Sequence, residues 1–456
     1  MSHGAHLFAL VDGNSFYASC EIAFQPKLAK RPVVVLSNND GCIVAANAVA
    51  KSLGEQWMRQ RGCLGAGGYG AARPTNMMFQ PYFKIKPLLD RYQAAVFSSN
   101  YELYADMSSR MHRIVGGFAS RQEIYSIDES FLDLTGMSHL DLTQYGLQIK
   151  QAVQQGIGIP VAVGIASTKT LAKLANHLAK KQQVAAHQDV FDLTQLSSAS
   201  LDALFARIEV GKIWGIGRRL EQQLKQDNIQ SVYDLKIANA KRIRKRYGVG
   251  VERILRELKG ESCLALETVR ANKQQIISSR SFGVAVQAYN EMEAAVVNYV
   301  CRAAEKLRQQ HSVCNFVTVW VTTNPFDAKQ PVYRNQQTLG LIYPSDNSSL
   351  LSKLVKRALK QIWVDGLPYQ KAGVALSEIT PKGALQADLF APNPVYSGNP
   401  KQAKLMALMD ELNTTSGKNT LFLAAAGIPD QQGWRMKRDL MSPRYTTCWD
   451  ELLTVR

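Results

Sequence analysis

Residues 123–136 read EIYSIDESFLDLTG, an apolar stretch with two adjacent carboxylates, Asp128 and Glu129, at its centre. Ile124, Tyr125, Ile127, Phe131 and Leu132 favour a pleated, half-buried surface, and Thr135-Gly136 supplies a closing turn signal. The stretch is expected as strand, within a hairpin. Two ionised groups side by side in such a strand cost several kcal/mol in desolvation and repulsion unless cations or strong donors compensate them. Positive charge is therefore expected beside Asp128 and Glu129.

Working outward, LFALVD at 7–12 is a second apolar run ending in a carboxylate, Asp12, followed by a Gly13-Asn14 turn signal and the helix-like FYASCE. RPVVVLSN at 31–38 reads as a buried strand, broken by NNDG before a small-residue helix, IVAANAVAKSLG. PVAVGIAS at 160–167 is a further strand, followed by the helix KTLAKLANHLAKK. Strands alternating with helices, with acids at strand ends, imply an α/β or α+β core over roughly 1–188. Three carboxylates without a neighbouring His or Cys make a hard oxygen donor set, suited to Mg²⁺ or Mn²⁺ and not to Zn²⁺. By spacing alone the alternative stays open: Asp12 as a helix cap and the Asp-Glu pair at a solvated strand edge.

Composition narrows the class. The 456 residues exceed one ordinary core and should divide into three or four domains. At 46% hydrophobic and 20% charged, the chain can bury a core, which argues against wholesale disorder. Lys and Arg number 54 against 37 Asp and Glu, a formal +17, favouring a polyanionic partner such as nucleic acid. The most apolar stretches, such as TLFLAAAGI at 420–428, fall short of the ~18–20 residues that span a bilayer. MSHGAHLFALVDG lacks the basic start of a signal peptide. The seven cysteines are scattered and never form CxxC, which points to a reducing cytoplasm and against zinc.

Further along, 200–260 turns helical and basic, through KIWGIGRRLEQQLK and AKRIRKRYG. Residues 263–275 read as a linker. SSRSFG, a helical pattern at 291–311, NFVTVWVTT at 315–323 and LLSKLVKRALKQIW at 350–363 make a separate α+β unit. After about 381 the text is turn-rich, carries one helix and ends in the basic MKRDLMSPRYTT.

Five ordered segments, VDGNSFYASCE, VVVLSNNDGCIVAANAVAKSLG, SSNYELYADMS, EIYSIDESFLDLTG and VGIASTKTLAKLANHLAKK, resemble the Y-family translesion DNA polymerases. The resemblance is closest to the UmuC type, the catalytic subunit of the bacterial SOS polymerase, and extends through MKRDLMSPRYTT. It implies an α+β multidomain right-hand polymerase: an α/β palm (1–18 and 96–188), small fingers (19–95), a helical thumb with a helix-hairpin-helix (189–262), a linker (263–275), an α+β little finger (276–380) and a partner-binding tail (381–456). By position it implies that Asp12, Asp128 and Glu129 are catalytic metal ligands for two Mg²⁺ (or Mn²⁺) ions, with the Gly13 carbonyl as an added ligand. It implies Tyr17 as the steric gate under the incoming sugar, and Lys180 and Lys51 as triphosphate contacts. Ala48 stands where distant relatives have a phosphate-binding Tyr, so that contact is absent or supplied elsewhere.

VGKIWGIGRRLEQQL resembles the helix-hairpin-helix, in which Gly215 and Gly217 let backbone N–H groups approach a DNA phosphate while Arg218 and Arg219 add charge. Arg280 in SSRSFG is a candidate template-backbone contact. Gln386, Leu389 and Phe390 in QADLF resemble the peptide that docks bacterial polymerases on the sliding clamp. GAGGYG at 65–70 matches GxGxxG, but no strand precedes it and a Pro follows, so dinucleotide binding is not expected. It belongs instead to an insertion, EQWMRQRGCLGAGGYGAARPTN at 55–76, after a finger helix expected to end near Gly54. The implied function is error-prone, template-directed DNA synthesis in SOS mutagenesis. Implied partners are primer-template DNA, dNTP, a processed UmuD-type dimer, the RecA filament and the clamp, in the cytoplasm. Two alternatives share the acids: a silenced DNA-binding or checkpoint subunit, should the insertion block the fingers, and a two-metal nuclease, which would not need Tyr17, Lys51 and Lys180.

Overall fold

A computed structural model of the chain describes residues 6–60, 77–181, 189–269, 271–327, 329–382, 400–417, 419–427, 433–434 and 436–453. The insertion beyond residue 60, the GAGGYG segment within it, and the clamp-type peptide with Gln386, Leu389 and Phe390 lie outside the described residues. Two compact units form: one from residues 1–37, 41–270 and 440–456, the other from 38–40 and 271–439.

The first unit carries strands β1 (Phe8–Gly13), β2 (Val33–Leu36), β3 (Ile43–Ala46), β4 (Ala95–Ser98), β5 (Gln122–Ile124), β6 (Glu129–Asp133), β7 (Val161–Ala166) and β8 (Val190–Asp192). Its helices are α1 (Phe16–Phe24), α2 (Ala48–Gln60), α3 (Tyr82–Arg91), α4 (Tyr101–Gly116), α5 (Leu142–Ile157) and α6 (Lys169–Lys180). A helical run follows: α7 (Ser198–Ala206), α8 (Arg218–Gln226), α9 (Val232–Ile237), α10 (Ala240–Tyr247) and α11 (Val249–Leu258). A five-stranded sheet runs β5-β6-β1-β7-β8, and a three-stranded sheet runs β3-β2-β4.

The period of two in the strands decides the layering. Ala9 and Val11 face one core with Leu103, Met107, Met111 and Val115 of α4 and Ile149 and Val153 of α5. Phe8 and Leu10 face another with Leu171, Leu174 and Leu178 of α6 and apolar residues of α9 to α11. Covered on both faces, residues 8–11 of β1 and the whole of β7 carry no polar side chain, which is why they read as continuous runs. IVAA, expected within a helix, is instead strand β3, because pairing with Val34, Val35 and Leu36 outweighs the helix preference of its alanines. Helix α2 starts at Ala48 and runs past the expected stop at Gly54 to Gln60.

One buried ion pair ties α6 to the back of the sheet. Lys169 Nζ donates to Glu123 Oε2 at 2.6 Å, with both side chains under one-tenth exposed, and Glu123 Oε2 also accepts the Glu267 N–H at 2.8 Å. Removing one partner leaves an uncompensated buried charge, so Lys169→Met is expected to lower unfolding stability by about 3–5 kcal/mol. Adding Glu123→Leu should restore most of it, as read by urea unfolding of the two variants.

The second unit holds β9 (Ile276–Val286), α12 (Tyr289–Gln309), β10 (Ser312–Thr323), β11 (Arg334–Ser345), α13 (Ser348–Ile362), β12 (Tyr369–Pro381) and α14 (Pro400–Thr415). Its antiparallel sheet runs β11-β10-β12-β9, and α12 and α13 supply much of the core on one face. Arg308 on α12 grips Asp410 on α14 through two hydrogen bonds, at 2.6 and 2.7 Å. Ile277 and Val284 of β9 and Ile342 of β11 are exposed.

Candidate active site

The hairpin β5-β6 forms as expected, but its carboxylates stand at the turn and not mid-strand. Tyr125 and Ser126 both donate their N–H to the Glu129 carbonyl, at 3.0 and 3.1 Å, closing a turn that contains Asp128. Apolar Tyr125 and Ile127 hide that turn in the sequence. The placement lowers the desolvation cost, because the acids occupy the rim of the sheet. Glu129 sits opposite Asp12 in the β1-β6 register, and Gly13 donates its N–H to the Asp128 carbonyl at 2.8 Å.

A cleft of about 460 Å³ gathers Asp12, Gly13, Tyr17, Lys51, Asp128, Glu129 and Lys180, with Ser15, Phe16, Val44 and Ala46 among its other walls. These are all the expected metal and nucleotide residues of the first unit. Ala48 does not line the cleft. Helix α1 starts on the cleft wall, and its first N–H groups, which have no intrahelical partner, receive no side-chain cap from Ser15. Ser15, ahead of it, adopts φ 50°, a left-handed conformation rare for a residue with a side chain. Its Oγ accepts from Lys51 Nζ at 2.8 Å.

The expected positive charge is present, and there is more of it than the sequence reading found. Lys180 pairs with Asp12 at 2.5 Å and Lys173 with Glu129 at 2.7 Å. Lys169, Lys173 and Lys180 are spaced i, i+4, i+11, which places them on one face of α6 against Glu123, Glu129 and Asp12. That spacing was the available signal for Lys173. Its ammonium also lies 4.4 Å from the Tyr125 ring centre and 5.3 Å from that of Trp214. Burial pushes Asp12 up to about 6, against the pull of Lys180 and with a further push from Glu129 and Asp128. Burial, with the nearby Lys180, pulls Lys51 below the usual lysine range.

The donor set fits a hard divalent cation, being all oxygen and mutually repelling. Among the described residues no group of three or more His, Cys, Asp or Glu side chains is drawn together into a ready-made metal cage. Lys180 and Lys173 hold two of the three acids and would have to yield to an ion.

Tyr17 stacks on Tyr104 with ring centres 4.5 Å apart and meets Tyr101 edge-on at 6.3 Å. Away from the cleft, Gly215 has φ +90° and Gly217 is the N-cap of α8, with open space where a Cβ would stand. Arg218 and Arg219 are exposed beside it. Arg280 is exposed on β9 of the second unit. No helix among the described residues is long and apolar enough to cross a membrane.

The impB/mucB/samB family matches residues 11–177 and its C-terminal domain residues 273–389, while a domain of unknown function (DUF4113) matches 403–455. Protein UmuC of Salmonella typhimurium is 45% identical over 99% of this chain and 100% of its own length. Protein MucB of Escherichia coli is 40% identical over 97% of this chain and 98% of its own. The solved structure of a Y-family DNA polymerase chimera built from Dbh and Dpo4 shares the fold, with a TM-score of 0.60 at 19% identity, covering 82% of this chain and 99% of that one. Full-length identity at this level, with the acidic rim and its lysines on one α/β scaffold, places the chain in the impB/mucB/samB family as a UmuC-like Y-family DNA polymerase.

Proposed function

We propose that the cleft is the nucleotidyl-transfer site of an error-prone translesion polymerase, in which a primer 3′-OH attacks the α-phosphate of a dNTP and pyrophosphate leaves. The observation that carries this reading is the single cleft uniting Asp12, Asp128 and Glu129 with Tyr17, Lys51 and Lys180. Its volume lies in the range of small-molecule sites. Asp12, Asp128, Glu129 and the Gly13 carbonyl would hold Mg²⁺ or Mn²⁺, two ions in all. When bound, such ions lower the pKa of the attacking hydroxyl and neutralise charge on the leaving phosphates.

The remaining roles belong to the chain. Lys180 and Lys51, with the first N–H groups of α1, receive the triphosphate. Tyr17 presents its ring beneath the sugar and excludes a ribose 2′-OH. Gly215, Gly217, Arg218 and Arg219 contact DNA phosphates without reading bases, as Arg280 does on the template strand. The five-stranded sheet with its helices acts as palm, the β3-β2-β4 sheet with α2 and α3 as fingers, α7 to α11 as thumb and the second unit as little finger. A processed UmuD-type dimer, the RecA filament and the sliding clamp, met through Gln386, Leu389 and Phe390, complete the cytoplasmic assembly.

The test is primer extension by the full chain, supplied with those partners, on undamaged and abasic templates. Magnesium-dependent extension past the abasic site supports the reading; tight primer-template binding without extension overturns it. In the same assay Tyr17→Ala is expected to raise the use of rNTP relative to dNTP by roughly 10- to 100-fold, the rate equivalent of removing an overpacked contact. Equal ribonucleotide exclusion in variant and parent would remove the gate.

A further inference from the structure

Helix α1 carries Tyr17 and, one turn on, Glu21, whose side chain is fully buried. Tyr104, equally buried on α4, is the ring on which Tyr17 stacks, and its Oη donates to Glu21 Oε1 at 2.6 Å. The same Glu21 oxygen accepts from Ser442 Oγ at 3.0 Å, across 421 positions of sequence. Glu21 Oε2 is buried without a partner, so both hydroxyls converge on the one oxygen, Oε1, where α1, α4 and the C-terminal segment meet.

That segment is anchored along its length. The Ser98 N–H donates to the Leu440 carbonyl at 3.0 Å, and Leu440 returns its own N–H to Ser98 Oγ at 2.9 Å. Asn100 caps the start of α4 through its Oδ1, while its Nδ2 lies 3.0 Å from the Ser442 carbonyl and 3.2 Å from that of Pro443. Tyr445 stacks on Phe24, at the end of α1, with centres 4.7 Å apart, and its Oη accepts from Gln25 Nε2 at 3.0 Å. Residues 440–445 therefore grip the N-terminal end of α4 and the C-terminal end of α1. Ser442 and Tyr445 are under one-tenth exposed.

We infer that the segment Leu440–Tyr445, within the stretch matching a domain of unknown function, is a strap that sets sugar discrimination by fixing the Tyr104 platform beneath Tyr17. Tyr104, Glu21 and Ser442 are positioning residues, since none of them lines the cleft. Core packing confines the Tyr104 ring, and the hydrogen bond at its Oη pins the outer end and so sets its tilt. Because Tyr17 stacks nearly parallel to it, at 15°, any rocking passes directly to the gate ring. The inference rests on reading Tyr17 as the gate.

The test measures kcat/KM for rNTP and dNTP in magnesium-dependent extension by the full chain with its partners. Tyr104→Phe, which removes one hydroxyl and its bond to Glu21, and Ser442→Ala, which removes the bond to Glu21 and an acceptor of Asn100 Nδ2 at 3.0 Å, are each expected to raise the rNTP:dNTP ratio roughly 3- to 10-fold, the reach of one or two hydrogen bonds. The dNTP value should stay within about twofold of the parent, since the charged groups of the cleft are untouched. Glu21→Gln, which keeps an oxygen for both hydroxyls, should hold the parental ratio. Tyr17→Ala with Tyr104→Phe should be no more permissive than Tyr17→Ala alone, because both act through one ring. An unchanged ratio in Tyr104→Phe and Ser442→Ala beside a permissive Tyr17→Ala overturns the strap and leaves the gate standing. A Tyr17→Ala variant that excludes ribonucleotides as the parent does overturns both.

Discussion

Replacing Asp128 by Asn together with Glu129 by Gln is expected to cut primer extension at least about 10³-fold, while primer-template affinity stays within about twofold of the parent. The two changes remove two of the three carboxylates on the cleft rim, and several kcal/mol of charge stabilisation at 1.4 kcal/mol per tenfold gives a loss of that size. The fold should barely register it. An Asn in place of Asp128 would still accept from Ser126 Oγ, which now lies 2.7 Å from Asp128 Oδ1, and a Gln in place of Glu129 keeps an oxygen for Lys173. The Lys173 ammonium keeps that oxygen and also lies against the Tyr125 and Trp214 rings, so neutralising Glu129 does not strand it. On the proposed reading DNA is held by the basic residues elsewhere, Arg218, Arg219 and Arg280 among them, which the changes leave alone. Extension at the parental rate would sink the ligand assignment; a parallel collapse of DNA binding would instead mean that the hairpin had moved.

Which of these features could be read from the sequence follows from how local their causes are. LFALVD and PVAVGIAS were legible as strands because β1 and β7 are buried on both faces, so their apolar character has no gaps. The acidic rim was legible as an all-oxygen donor set at strand ends, but residue type and spacing alone left a helix cap and a solvated edge equally open, and the ordered motifs were needed to bring Asp12 together with Asp128 and Glu129. IVAA carries the wrong local signal: its residues suit a helix and only the neighbouring β2 makes it a strand. The position of Asp128 within the turn was hidden by Tyr125 and Ile127, which are apolar yet close a loop. The spacing of Lys173 from Lys169 and Lys180 is legible, but nothing local ties it to Glu129. The strap had no local signal at all: nothing near Ser442 announces that its partner is Glu21, and only the folded chain brings the two together.

Helix α6 supplies the second large effect, because its backbone packs directly on β7 while its lysines reach the acids. Gly164, in the middle of β7, is what permits this. A Cβ placed there would stand 2.1 Å from the backbone N of Asn176 and 2.4 Å from the carbonyl O of Ala172, both in α6. Neither can rotate aside, as a flexible side chain could. Asn176 adds to the constraint by donating from Nδ2 to the Leu10 carbonyl at 3.2 Å and the Ala162 carbonyl at 2.8 Å, stitching the helix to both central strands. Gly164→Ala is therefore expected to cost about 3 kcal/mol or more, the upper end of overpacking penalties, since only displacement of the whole helix relieves it. That displacement carries Lys173 and Lys180 away from Glu129 and Asp12, so extension should fall even at temperatures where the variant remains folded. Gly250→Ala in α11, where nothing lies within 4 Å of the added carbon, serves as the control and should leave stability equal or slightly higher. Urea unfolding of the three proteins, with extension assayed well below each transition, separates the two effects. A Gly164→Ala variant as stable and as active as the parent would show that α6 can slide without disturbing the cleft, and that the lysine ladder is not what sets its geometry.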